Sequence, residues 1–410
     1  MKRESGATKP HQLNKSTVLD ARAATRLRVL NCIRTSGTAS RTDISAALRL
    51  SPATVTFVTS SLMAGGLIEE VTATDAPDAV KRGRPRVALR LTKGDFHIAG
   101  IKIGRDAMSI LILDFDGTEV TRFEVPLAQP QMESEALVLA IRDALAAAYA
   151  EISSTVDKLA GITIGLAGQI EAESRFVHWS SSLTRRNVDM GTLFVKHLPC
   201  PAFVDNDANL VAKAEHLFGE AKGLRNFLVV TVEHGVGLGI VLDGHLYRGE
   251  RGCGAEFGHI KVARNGAPCQ CGQHGCLEAY VGSYGLLRRA AEVSPSGTFP
   301  TVRALVQSAA DGNAKAATLL EEAGQMFGLG LSNLINLFDP ERIILAGAQH
   351  RIGHLHTRSV LEDVRNNVVM VDAPLPDIHI NHWDNFMWAR GAAAMGIEHV
   401  SVLKVKELSE

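Results

Sequence analysis

The chain has 410 residues, 46% of them hydrophobic and 21% charged, which is ordinary globular composition and suggests two or three domains. No window holds 18 consecutive apolar residues, and the opening MKRESGATKPHQLNKS has no apolar segment behind its basic residues; a membrane-spanning helix and a secretory signal are excluded and a cytoplasmic location is expected. The net charge of −1 conceals an asymmetry, because residues 1–92 carry 15 Lys and Arg against 7 Asp and Glu, a net of +8 on a body of −9. A basic first fifth suggests a nucleic-acid module joined to something else.

Residues 1–16 are polar and without periodicity, as in a flexible arm. From Asp20 to Ser36 a helical pattern puts Leu27, Leu30 and Ile33 on one face, with Arg22, Arg26 and Arg34 mostly off it. Gly37 stops it. Ser40 and Asp43 look like a capping box for a short helix through Ile44, Ala47 and Leu48. Ser51-Pro52 then opens a third helix to about Met63, with Val55, Val58 and Leu62 inward and Gly65-Gly66 after it. This is the helix-turn-helix plan. Its outer face would carry Ser51, Thr54, Thr56, Phe57, Thr59 and Ser60, side chains suited to phosphates, base edges and thymine methyls. Two short strands, Leu67–Thr72 and Val87–Leu91, flank the basic run Lys81-Arg82-Gly83-Arg84-Pro85-Arg86. A basic hairpin tip is a wing, and Arg82, Arg84 and Arg86 are its expected DNA contacts, set for a narrow minor groove.

From residue 97 the pattern turns to strands. His97–Ile103 and Met108–Phe115 are apolar, Asp116-Gly117 is a hairpin turn, and Val120–Val125 follows. Ser134–Glu151 reads as a helix and Leu159–Leu166 as a buried strand leading to Gly168. A related arrangement recurs: strand Phe227–Val232, a glycine-rich turn over Gly235–Gly239, strand Gly239–Leu242 and the turn Asp243-Gly244. Two such units suggest a duplicated α/β fold with a cleft between its halves. Helices Asp207–Phe218, Ala314–Phe338 and Arg390–His399 and strand Arg342–Ala346 agree with α/β alternation.

Two stretches carry chemistry. Val204-Asp205-Asn206-Asp207-Ala208-Asn209 follows an apolar segment and opens a helix. Carboxylates and amides at a strand's C-terminal end commonly face a cleft, bond polyols, and can deprotonate a sugar hydroxyl; the same residues also make good turns and caps. The second stretch is Gly254-Ala255-Glu256-Phe257-Gly258-His259 with Cys269-Gln270-Cys271-Gly272-Gln273-His274-Gly275-Cys276-Leu277-Glu278. Four of the six cysteines, Cys253, Cys269, Cys271 and Cys276, fall within 24 residues. One His and three Cys among glycines suit a tetrahedral structural zinc rather than disulfides, with Cys253 and His274 as spare ligands.

Over roughly residues 20–400 the sequence resembles the ROK family of repressors and sugar kinases. Glu256-Phe257-Gly258-His259, the Cys-x-Cys-Gly-x-x-Gly-Cys-x-Glu run from Cys269 to Glu278, and Asn206-Asp207-x-Asn209 match its motifs in order. The resemblance implies an α/β chain: an N-terminal winged helix-turn-helix over 17–92, then a two-lobed actin/hexokinase-like effector domain over 93–410 with a zinc loop at 259–278. It implies that His259, Cys269, Cys271 and Cys276 hold zinc, and that Asn206, Asp207, Glu256, His259 and Glu278 line a sugar pocket. His259 would serve both, and the zinc would shape the sugar loop.

Departures from the family's kinases bear on activity. Where they carry Asp-x-Gly-Gly-Thr, this chain has Lys102-Ile103-Gly104-Arg105-Asp106. Their second phosphate loop, Gly-Thr-Gly-x-Gly, is here Glu233-His234-Gly235-Val236-Gly237, which sets a carboxylate toward the phosphates of ATP. Ser182 stands where relatives often have a sugar-contacting Asn, and Phe57 stands where a polar residue is usual. The expectation is a sugar-responsive regulator, most simply a repressor, with no catalytic residue. It would act as a homodimer or homotetramer on a double-stranded operator, with a sugar or sugar derivative as effector. The alternative is an active sugar kinase fused to a DNA-binding domain, with Asp207 as its base.

Overall fold

A computed structural model describes residues 20–71, 87–152, 154–293, 299–347, 349–369, 374–381, 384 and 386–409. The expected arm over 1–16 and the wing residues Arg82, Arg84 and Arg86 lie outside them. The chain forms two compact units, residues 1–93 with 398–410, and residues 94–397. The tail after residue 397, expected in the second domain, is therefore part of the first unit.

The first unit begins with α1 (Ala21–Ser36), capped by the Asp20 carboxylate on the Ala23 amide at 2.6 Å. Strand β1 (Ala39–Ser40) leads into α2 (Arg41–Leu48), whose Ser40–Asp43 capping box is complete. Such a cap contributes about 1 kcal/mol. Arg49 in the left-handed conformation (φ 53°) turns the chain into α3 (Pro52–Ala64), capped by Ser51. Strands β2 (Ile68–Glu70) and β3 (Ala88–Leu91) complete a three-stranded sheet in the order β1-β3-β2. Val29, Leu30, Ile33, Ile44, Val55, Leu62, Leu67 and Leu89 form the core. This is a winged helix-turn-helix arrangement.

Two residues of this unit differ from expectation. Arg26 is buried, because its guanidinium donates to Ser61 Oγ (3.1 Å) and Ser409 Oγ (2.7 Å). Thr59 faces the core, its hydroxyl donating to the Val55 carbonyl at 2.8 Å; one turn of helix past Val55 returns to the buried side.

The second unit holds two sheets with the same plan. In the first, β4 (His97–Ile103), β5 (Ala107–Asp114) and β6 (Glu119–Pro126) form an antiparallel meander. Helix α4 (Ser134–Glu151) then leads to β7 (Leu159–Leu166), parallel to β4. A small sheet of β8 (Gly168–Glu171), β9 (Phe176–Ser180) and β10 (Val188–Asp189) precedes α5 (Met190–His197). Strand β11 (Ala202–Asn206) closes the order β11-β7-β4-β5-β6, and α6 (Asp207–Phe218) follows. The second meander is β12 (Phe227–Val232), β13 (Val236–Leu242) and β14 (His245–Tyr247). Helices α7 (Glu278–Val281), α8 (Ser283–Val293), α9 (Val302–Ala310) and α10 (Ala314–Phe338) lead to β15 (Arg342–Ala346). After α11 (Gln349–Ile352) and α12 (Arg358–Asn367), β16 (Asp377–Asn381) completes β14-β13-β12-β15-β16. The last helix, α13, runs Met387–Glu407, longer at both ends than the sequence pattern suggested.

The expected glycine-rich turn over 235–239 is mostly strand. Only Glu233–Gly235 turns, closed by the Glu233 amide on the Gly235 carbonyl at 2.9 Å. Gly237 and Gly239 lie in β13 because α6 crosses it closely: a Cβ would stand 2.9 Å from Ala208 Cβ at the first and 2.6 Å from Ala212 Cβ at the second. Each sheet buries an aliphatic face under helices, Ile110, Ile112, Ile162 and Ile164 with Leu137 and Ile141 of α4 in one, and Val230, Ile343 and Leu345 with Phe327 and Leu331 of α10 in the other. Among the described residues no helix is long and apolar enough to cross a membrane.

Candidate metal centre and polar cleft

Between β14 and α7 the chain has little regular structure beyond one short helical turn, Phe257–His259. Its shape comes from isolated bridges, Lys261 with Cys276 and Pro268 with His274. Gly275 (φ 73°) packs so tightly that a Cβ would meet the Ala263 carbonyl oxygen at 1.7 Å. This loop gathers His259, Cys269, Cys271 and Cys276, whose ligand atoms all lie within 4.8 Å of one another. His259 Nδ1 is 3.6 Å from Cys269 Sγ, and the Cys271 and Cys276 sulfurs are 3.7 Å apart. A tetrahedral ion with metal–sulfur bonds of about 2.3 Å separates sulfurs by roughly 3.8 Å, so the set fits a metal ion. Lys261 Nζ donates to Cys276 Sγ at 2.8 Å, a cation beside the sulfurs. Cys253, half-buried on the Arg251 carbonyl, and the exposed His274 stand outside the group.

The same loop lies beside a group of polar residues. His259 Nε2, the nitrogen away from Cys269, lies 3.8 Å from Glu256. Burial, with Glu278 and Asp207 adding repulsion, pushes the Glu256 carboxyl up to about 7, against a hydrogen bond from Gln169. Glu278 accepts from the Val236 amide at 3.1 Å and from the Tyr284 hydroxyl at 3.0 Å. It therefore ties the metal loop to β13. Asn206 caps α6, accepting from the Ala208 amide at 2.9 Å and donating to the Gly168 carbonyl at 2.8 Å. Asp205 beside it is structural: it is buried, takes two bonds from Arg248 (2.9 and 2.6 Å), and accepts from Asn209. Three of the expected pocket residues, Asp207, Glu256 and Glu278, thus share one electrostatic environment. Gln169, Tyr284, Lys261 and Arg248 were not singled out from the sequence, where no spacing marks them.

The two altered loops are equivalent hairpin turns, between β4 and β5 and between β12 and β13. They approach each other, with Arg105 Nη1 3.5 Å from His234 Nε2. Two of the new charges have counter-ions. Lys102 Nζ donates to Asp207 and stands 5.4 Å from the centre of the Trp388 ring. Glu233, the carboxylate expected toward the phosphates of ATP, pairs with Arg351. Ser182 is buried, its amide donating to Ser180 Oγ at 3.2 Å.

In the first unit, Ser51, Thr56, Phe57 and Ser60 line the exposed side of α3 and Thr54 is half-buried. Phe57 is 63% exposed.

Residues 98–398 match the ROK family. The chain is 28% identical over 318 residues to the DNA-binding transcriptional dual regulator NagC of Escherichia coli, covering 76% of this chain and 77% of that one. It is 29% identical over 348 residues to the xylose repressor of Caldicellulosiruptor bescii, covering 82% and 86%. Among solved structures it is similar to a ROK family transcriptional regulator, a homologue of the Escherichia coli Mlc protein. The TM-score is 0.80 at 25% identity, over 94% of this chain and 99% of that one. With a helix-turn-helix unit, two sheets of one plan and the His-Cys₃ loop all in place, the chain belongs to the ROK family.

Proposed function

We propose that this protein is a sugar-responsive, DNA-binding transcriptional repressor acting in the cytoplasm, whose sugar-kinase-like domain senses its ligand without phosphorylating it. One observation carries the reading: Lys102 bonds to Asp207. In a sugar kinase of this plan the Asp207 carboxylate would take the hydroxyl proton. Here that oxygen accepts from an ammonium supplied by the strand before the first phosphate hairpin. Phosphoryl transfer depends on positioning and on stabilising charge, and both hairpins have exchanged those features for internal ion pairs.

The cleft keeps what a sensor needs. Asn206, Asp207, Glu256, His259 and Glu278 would bond sugar hydroxyls, with Glu256 able to donate while protonated. The sulfur spacing and the soft donor set suit zinc, held by His259, Cys269, Cys271 and Cys276. Zinc would fix the loop that carries Glu256 and Glu278, and His259 would face zinc through Nδ1 and the sugar through Nε2. The relatives named above include a xylose repressor, which supports a carbohydrate effector without naming this chain's own. Ser51, Thr54, Thr56, Phe57 and Ser60 would enter the major groove, and Arg82, Arg84 and Arg86 the minor groove. A homodimer or homotetramer would place two such units on paired half-sites. The effector can change DNA affinity only by as much as it prefers one state over the other.

The retained Asp207 favours one rival, an active kinase fused to a DNA-binding unit. The test is ATP turnover by the zinc-loaded protein across hexoses, pentoses, amino sugars and polyols. No turnover is expected with any sugar. Turnover abolished by Asp207→Asn would overturn the reading.

A further inference from the structure

The exposed side of α3 has an unusual chemistry for a helix that reads DNA. Pro52–Ala64 is PATVTFVTSSLMA, without Arg, Lys, Asn, Gln, Asp, Glu or His. Recognition of guanine rests on Arg or Lys, adenine on Asn or Gln, and cytosine on a carboxylate. The helix can supply none of these. Two of its outer hydroxyls are engaged at home: Thr56 Oγ1 donates to the Pro52 carbonyl at 2.9 Å, and Thr54 Oγ1 bonds to Ser51 Oγ at 2.8 Å. What remains outward is small or apolar, Ser60, Ala53, the methyl-bearing Thr56, and above all Phe57, 63% exposed in mid-helix. A phenyl ring held in water on the recognition helix of a unit with net charge +8 needs an apolar partner in an anionic ligand. In duplex DNA the major groove offers one apolar group, the C5 methyl of thymine.

We infer that Phe57 is the specificity-determining residue of α3, and that it reads thymine methyl groups in the major groove while flanking cations hold the phosphates. Exposed Arg28 and Arg49 stand at the α2 end of the helix pair for that second role, Arg28 donating to the Leu48 carbonyl at 3.2 Å. The inference rests on the DNA-binding reading above.

The experiment uses the full-length protein and a randomised duplex library. Selected duplexes are resynthesised with deoxyuridine for thymine, which removes the methyl and leaves pairing and phosphates unchanged. Affinity should fall roughly fourfold for each methyl that Phe57 covers. Phe57→Ala should bind both forms alike, Phe57→Leu should keep part of the preference, and the salt dependence should be the same in all three. Deoxyuridine duplexes bound as tightly as thymine duplexes by the native protein would overturn the inference and leave DNA binding intact. A library from which nothing is retained would overturn both. Because Phe57 is exposed, an unchanged melting temperature in the variants checks that the fold has not failed instead.

Discussion

The two halves of the effector unit share one strand order and differ in what they carry. The first half is nearly all scaffold: an aliphatic core, a small sheet, and a buried His97 whose Nδ1 meets the Tyr149 hydroxyl at 3.1 Å. The second half adds the metal loop after β14 and the long α10, and supplies Glu256, His259 and Glu278 to the cleft. It also leaves His354 buried with neither ring nitrogen bonded to protein. Duplicated topology therefore does not mean shared duty. One copy supplies mainly sheet and core, and the other hangs its polar residues on a loop whose His and Cys side chains could hold a metal ion.

Removing the metal should break this contrast most sharply. Structural zinc is worth on the order of 10 kcal/mol to small domains, and a loop with so few backbone bridges should lose several kcal/mol with it. Cys276→Ala, or a strong chelator, should raise amide exchange across 256–282, abolish sugar binding and leave 97–126 protected. Equal loss of protection in both segments would erase the distinction between the halves.

Acid should act next. Burial pushes the His354 imidazole down to about 4, against an ordinary value of 6.5. The folded form holds it neutral, so its contribution is complete above 6.5 and is lost as pH falls from there toward 4, by roughly 3 kcal/mol at the lower end. Burial lowers His97 as well, in opposition to the pull of Asp114. His354→Leu should flatten the acid limb of the melting curve, and His97→Leu should do so less. A reversed order would show that the Tyr149 contact does not protect His97.

The smallest effect belongs to the ion pairs beside the two hairpins. Lys102→Met should cost about 2 kcal/mol by leaving Asp207 half-buried without its ammonium, and Lys102→Met with Asp207→Asn should recover most of it. The Arg351–Glu233 pair, more exposed, should give a smaller coupling in the same cycle. Denaturant titration of the four proteins in each cycle reads both.

Much of the scaffold was legible in the sequence. Strands β4, β7, β12 and β15 and helices α4, α6 and α10 end where their apolar runs and caps end. The metal set was legible too, because its ligands lie close in sequence and no other residue types would serve. What local patterns lacked was the partner. Gly237 and Gly239 read as a turn until α6 lies across them. Lys102 read as a lost phosphate contact, and its role comes from Asp207, 105 residues on. Glu233 read as a carboxylate set toward ATP, and its partner Arg351 has no sequence relation to it. Arg26 read as a surface cation for the same reason, its acceptor Ser409 being 383 residues away.

That last bond has a consequence for synthesis. The helix-turn-helix segment over 20–93 is made before the segment over 398–409, yet it takes in those later residues: Ser409 closes on Arg26, Ser401 on Arg34 at 3.0 Å, and Leu408 fills the space above Gly65. Domains generally fold in the order they are made. Here an early-made unit waits on a later-made segment, and a nascent or truncated chain that stops before residue 398 carries an unfinished reader of DNA.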